Sequence, residues 1–192
     1  MKRASDLSST LVAFLCALCV FVVSSSAEEP CNSGLKPGQR PGPYTALVAM
    51  GPERGQLHCY ICETGDRPAV VVFARELSDG LGNLVTRLDR ALAEHKKAEL
   101  RAWVTFLADD QPALDPKVVR WGQQHAIRNV PLAVFSDSDG PPSYRLAKDA
   151  DVTVLLFVKQ KVVANFAYRA GELTAARADE VLKSLPQIVV QK

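Results

Sequence analysis

The sequence predicts an α/β domain of three layers: a central mixed sheet, helices on both faces, and a β-hairpin extension at its amino end. Three observations carry this. Ala69-Val-Val-Val-Phe-Ala-Arg75 is a near-continuous apolar run, which a strand buried on both faces requires. It passes through Glu76-Leu-Ser-Asp-Gly-Leu81 into an amphipathic run from Gly82 to His95, whose Leu84, Val85, Leu88 and Leu92 share one face of a 3.6-residue period. Near the carboxyl end, only Lys159-Gln-Lys161 separates two runs rich in β-branched and aromatic residues, so those two strands pair antiparallel.

Residues 1–27 have the three parts of a secretory signal peptide: Lys2 and Arg3, the apolar run Leu11 to Val23, and the small residues Ser24-Ser-Ser-Ala27. The apolar run is 13 residues, short of the roughly 20 that a bilayer-spanning helix needs. The expectation is therefore an exported protein, periplasmic or extracellular, with no membrane association after cleavage. Removing Lys2, Arg3 and Asp6 takes the formal charge from +2 to +1, which gives no electrostatic case for nucleic acid. The remaining 165 of 192 residues suffice for one domain with a real core.

In order, residues 28–43 are rich in Pro, Gly and polar residues and are expected to form a flexible lead-in. The domain proper is expected over residues 44–186. Tyr44 to Met50 reads as a strand, Gly51-Pro-Glu-Arg-Gly55 as a turn, and Leu57 to Cys62 as the returning arm of a hairpin. Gly65-Asp-Arg-Pro68 bends the chain into the central strand. Ser78 or Asp79 is the expected N-cap of the following helix. Leu100 to Phe106 alternates as a second strand, ending in the turn Asp109-Asp-Gln-Pro112, and Asp115-Pro116 opens a helix running to about Ile127. Pro131 to Phe135 is a third strand, and a single helical turn follows around Tyr144 to Ala147. Val152 to Val158 and Val162 to Tyr168 form the final hairpin. A last helix spans about Thr174 to Leu185, and Gln187 to Lys192 are expected to fray.

This order, with Val130-Pro-Leu-Ala-Val-Phe-Ser-Asp-Ser-Asp-Gly140 leading to a Tyr and the final hairpin, resembles the thioredoxin fold of the redoxin (peroxiredoxin-like) kind from Tyr44 to Leu185. The resemblance implies a Cys-x-x-Cys directly after the central strand. Ser78-Asp-Gly-Leu81 stands there instead, and Ala150-Asp-Val-Thr153 replaces the facing proline loop. A serine hydroxyl of ordinary pKa cannot replace a thiolate in disulfide exchange or peroxide reduction. By this resemblance the usual site lacks its cysteine, and helix capping is the ordinary role for Ser78.

Three cysteines survive signal cleavage: Cys31, Cys59 and Cys62. His58-Cys59-Tyr-Ile-Cys62 contains a Cys-x-x-Cys, but it precedes the central strand, which puts it at the amino end of the sheet. In a regular strand these two residues would be roughly 10 Å apart, so they can bond only if the chain turns between them. Four readings stay open: a structural disulfide within Cys59–Cys62 or from Cys31 to one of them; a redox pair at Cys59 and Cys62; a metal held by Cys31, Cys59, Cys62 and His58; or buried thiols. Asp137, Asp139 and Gly140 read as a solvated turn. His95 and His125 read as structural or exposed residues, and Trp103 and Trp121 as packing.

No phosphate loop or dinucleotide fingerprint is present, and no cofactor is implied. The expected function is therefore an exported redoxin-like binding or scaffold module for an unidentified protein partner. The alternatives are thiol–disulfide exchange at Cys59 and Cys62, and metal binding.

Overall fold

The structure is a computed structural model and describes residues 29–189. Residues 1–28, which include the expected signal peptide, and residues 190–192 lie outside the described residues. Among the described residues no helix is long and apolar enough to cross a membrane.

Seven strands form one sheet: β1 Ala46–Met50, β2 Leu57–His58, β3 Ala69–Ala74, β4 Arg101–Leu107, β5 Leu132–Phe135, β6 Val152–Val158 and β7 Lys161–Tyr168. Among the described residues four α-helices accompany them: α1 Tyr60–Thr64, α2 Asp79–Glu94, α3 Gln111–Gln124 and α4 Ala175–Lys183. The strand order is β2-β1-β5-β4-β3-β6-β7. β3, β4 and β5 are parallel, while β6 runs antiparallel to β3 and β1 antiparallel to β5. The sheet is mixed, as the short link between β6 and β7 required.

β3 sits at the centre with all six residues buried, which explains why its sequence is an unbroken apolar run. The crossovers β3-α2-β4 and β4-α3-β5 step in the same direction across the sheet. Right-handed crossovers of that kind place both helices on one face. Leu81, Leu84, Val85 and Leu88 of α2, Val118 and Trp121 of α3, and Ala178 and Val181 of α4 all pack there against Val70, Val72, Val104 and Leu156.

The opposite layer is thinner. It is built from α1, the single 3-10 turn Pro142–Tyr144 and the lead-in, which set Tyr60, Tyr144, Tyr44 and Leu35 against Val71, Phe73, Trp103 and Phe157. Tyr44 is held by polar contacts as well as packing. Its hydroxyl accepts from Trp103 Nε1 at 2.9 Å and pairs with Thr105 Oγ1 at 2.7 Å.

Four expectations about local structure are corrected. The lead-in is not loose: Ser33 and Leu35 are buried, Ser33 Oγ pairs with Thr153 Oγ1 at 2.7 Å, and Asn165 Nδ2 donates to the Ser33 and Leu35 carbonyls. Gly34 makes this approach possible, because its φ is 88° and a Cβ would strike Thr153 at 2.7 Å. The returning hairpin arm keeps only Leu57 and His58, and Tyr60 onward is helical. α3 starts a turn early: Asp110 caps it by accepting from Ala113 N at 3.0 Å, and Pro112 occupies the first turn, where its missing N–H costs nothing. The tail does not fray at Gln187, since Ile188 and Val189 are buried against the main core.

One buried carboxylate ties α2 to the sheet. Asp89 Oδ1 accepts from the backbone N–H groups of Arg128, Asn129 and Val130 at 3.1, 2.6 and 2.9 Å, fixing the entry to β5. Asp89→Ala is expected to lower the unfolding free energy by about 2–3 kcal/mol, because it leaves three buried or partly buried backbone donors without their acceptor. Urea denaturation reads this directly. A change below about 0.5 kcal/mol, the range of an ordinary surface substitution, would contradict the assignment.

Candidate functional site

Two poles of the sheet are candidates, and β3 separates them by its full length, roughly 20 Å at the usual strand rise. At the carboxyl pole, Ser78 is the N-cap of α2, its Oγ accepting from Leu81 N at 3.3 Å. Asp79 opens the helix, Gly80 touches the Leu173 carbonyl so closely that no side chain would fit, and Leu81 is buried in the core. The four residues therefore build a helix start. The sequence reads His125 as structural or exposed. It lies over Gly82, where a Cβ would collide with its ring, and its Nε2 is 3.8 Å from Asp79 Oδ1.

The rest of the carboxyl pole is tied down by the backbone. Arg75 at the exit of β3 donates to the carbonyls of Ala150 at 3.0 Å, Ala147 at 3.1 Å and Ser138, fastening residues 136–151 over the strand ends. Asp151 is buried beside it with Oδ1 lacking a hydrogen-bond partner. Burial, with the Glu76 carboxylate adding to it, raises the Asp151 pKa against the pull of nearby backbone amides and Arg75.

Cys31 is a free, half-buried thiol two residues before Ser33, which bonds to Thr153 at this same pole. Burial and then the Asp149 carboxylate raise its pKa; Glu172 adds to them, and Arg169 opposes. A raised pKa leaves less of a thiol as the nucleophilic thiolate.

At the amino pole, Cys59 and Cys62 form a disulfide with their Cα atoms 5.3 Å apart. The necessary turn is α1. Cys59 is its N-cap, and Cys59 Sγ accepts from Cys62 N at 3.2 Å. Tyr60 and Thr64, four residues apart, form the buried side of this short helix. Tyr60 stacks on Trp103 of β4 with ring centroids 5.6 Å apart, and Thr64 Oγ1 donates to the Tyr60 carbonyl at 2.7 Å.

The location is fixed by neighbours that belong to the amino ends of the strands. Glu63 pairs with Arg101 at 2.6 Å, Arg101 is the register partner of Ala69, and Lys159 N donates to the Asp66 carbonyl at 3.1 Å. His58 Nε2 lies 3.0 Å from Glu63 Oε2, and the His58 ring packs on Tyr60 at 4.4 Å. Leu57 is exposed at the sheet edge, at 68%.

The structure thus brings Cys59, Cys62 and His58 together and leaves Cys31 elsewhere. The pairing of Cys31 with either of the others is not formed, and neither is the four-residue metal set. Among the described residues no group of three or more His, Cys, Asp or Glu is arranged to hold a metal ion. Sequence reasoning missed Glu63 and Arg101, which frame the disulfide. Their only signal was a carboxylate directly following the second cysteine.

Burial raises the Glu63 pKa. Hydrogen bonds and charge from Arg101 and His58 outweigh it, and the net position is below the ordinary 4.5. A carboxylate with a lowered folded pKa stabilises the fold above its unfolded value and loses that contribution as the pH falls through the folded one. The wild type is expected to be more stable than Glu63→Gln above pH 4.5, with the gap closing at lower pH, in urea titrations across that range. Ser78→Ala is expected to cost about 1 kcal/mol of stability as a lost N-cap. The reactivity of the disulfide toward dithiothreitol should not change; a changed rate would place Ser78 in the chemistry.

No family model matches the chain, and no curated protein matches it. Solved structures do. An uncharacterised conserved protein of Geobacillus kaustophilus superposes with a TM-score of 0.61 at 13% identity, covering 86% of this chain and 92% of that one. A thio-disulfide isomerase of Thermus thermophilus gives 0.52 at 21%, covering 82% and 100%. A yeast mitochondrial 1-Cys peroxiredoxin gives 0.55 at 13%, covering 80% and 77%. At these identities the likeness is one of fold, and the fold is thioredoxin-like, of the type that redoxins share.

Proposed function

We propose that the mature chain is an exported thioredoxin-like protein that carries out thiol–disulfide exchange through Cys59 and Cys62. The observation that carries this is the disulfide itself: a Cys-x-x-Cys closed across the first turn of a helix, with Cys62 exposed to solvent. Export rests on the character of residues 1–27, and an oxidising compartment would keep such a pair in use as a disulfide.

Magnitude favours exchange over a purely structural role. In the chain-entropy account, a disulfide closing so short a loop stabilises by only about 2 kcal/mol, less than one closing a long loop. A domain of this size does not need that staple. The pair also lies outside the two hydrophobic clusters, so its reduction opens no cavity in the core.

A second reading is a binding or scaffold module with Cys59–Cys62 as a surface staple. One observation favours it: Ser78 is spent on capping α2 at the place where the fold resemblance puts a dithiol.

Insulin reduction by dithiothreitol separates the two. Residues 28–192 are expected to accelerate it, and Cys59→Ser or Cys62→Ser to return it to the uncatalysed rate. Cys31→Ser should keep the wild-type rate. No acceleration by the wild type, or acceleration that survives both substitutions, would sink the exchange reading and leave the binding module.

A further inference from the structure

We infer that Cys62 Sγ is the sulfur an incoming thiolate attacks, that Cys59 is the leaving sulfur, and that the substrate is a dithiol. This rests on the exchange reading above and assigns the roles within the pair.

The geometry of α1 makes the two sulfurs unequal. Tyr60 and Thr64 point at the sheet, at 7% and 1% exposure. Cys62 is two positions from each, roughly 200° around a helix, and so faces away from the protein. It is exposed, whereas Cys59 is half-buried at the N-cap. Attack on a disulfide needs access to one sulfur with the other departing. Cys62 offers that access.

The departing sulfur is prepared to carry charge. Cys59 Sγ already accepts the Cys62 N–H at 3.2 Å, and the same contact becomes a charge-assisted hydrogen bond when Cys59 leaves as a thiolate. A better-stabilised leaving thiolate departs faster. Glu63, next to Cys62, would repel an approaching anion if its charge were free. Arg101 at 2.6 Å and His58 at 3.0 Å hold it.

The step balances as follows. A substrate thiolate forms a bond to Cys62 Sγ, the Cys62–Cys59 bond breaks, and Cys59 takes the electron pair. The substrate's second thiolate then attacks its own sulfur in the mixed disulfide and expels Cys62. The substrate leaves as a disulfide, oxidised by two electrons, and the two protons from its thiols end on Cys59 and Cys62. A dithiol substrate supplies the second thiol within the same molecule, so the second step is intramolecular. Cys31, the one other cysteine of the mature chain, lies at the opposite pole with a raised pKa.

The test uses the whole mature protein, oxidised, with reduced glutathione as the probe. The mixture is acid-quenched, alkylated and mapped by mass spectrometry. Glutathione is expected on Cys62 over Cys59 by roughly tenfold or more, with Cys59 alkylated, as leaving-group stabilisation and access both dictate. In a Cys31→Ser background, Cys59→Ser should take up glutathione from its disulfide faster than Cys62→Ser. A small-molecule dithiol should reduce the pair without a trapped adduct. Glutathione found mainly on Cys59 would overturn this assignment while leaving exchange intact. No adduct on either sulfur, with insulin reduction also absent, would remove the exchange reading and this inference with it.

Discussion

Full burial of β3 is the constraint on which the rest of the molecule depends. It is covered on both faces and paired along both edges, with β4 in parallel and β6 antiparallel over all six residues. A slip of such a strand would break its pairing along both edges and misfit side chains in two packed layers at once. β3 is therefore a rigid spacer between two chemically different poles. One pole carries the α2 N-terminus, and the other carries the disulfide. Because β3 is continuous, no adjustment of loops brings Cys59 or Cys62 to the end occupied by Ser78.

The unequal layers follow from the same topology. Two right-handed crossovers in one direction put α2 and α3 on a single face, and α4 joins them through contacts with α2. The other face then has to be covered by what remains. Its solution is aromatic and local: Tyr44, Tyr60 and Tyr144 lie over Phe73 and Trp103, with the lead-in strapped along β6 and β7. α1 exists as part of this cover, since Tyr60 must reach Trp103. The turn that buries Tyr60 also lets Cys59 meet Cys62. The Cys59–Cys62 disulfide is a by-product of packing as much as of the cysteines' own spacing.

Regular structure with a strong pattern was readable from the residues. The β3 run, the α2 stripe with its Ser78 cap, and the β6–β7 hairpin all appear where their periodicity puts them. What was not readable lacks a local signal. Ser33 and Leu35 are buried by contacts with residues more than a hundred positions away, and a Pro- and Gly-rich stretch shows no period to announce that. Leu57 to Cys62 reads as the returning arm of a hairpin, and only the need of Tyr60 for the Trp103 ring decides for a helix. Asp110 and Asp115 are both residue types that cap helices, and the one used is Asp110, which accepts from Ala113 N. At the site, sequence located the cysteine pair at the amino end of the sheet. Glu63 and Arg101, 38 positions apart, needed the β3–β4 register to meet.

The most direct test of the account is an amide chemical-shift map of folded residues 28–192 as they are titrated with dithiothreitol. Reduction should move the signals of residues 57–67 and of Arg101 to Trp103 while Ser78 to Leu81 and Thr153 stay unchanged and the spectrum stays dispersed. Shifts centred on Ser78 to Leu81 and Thr153, or a collapse of dispersion on reduction, would contradict it. The first would move the chemistry to the other pole, and the second would make the disulfide a requirement of the fold.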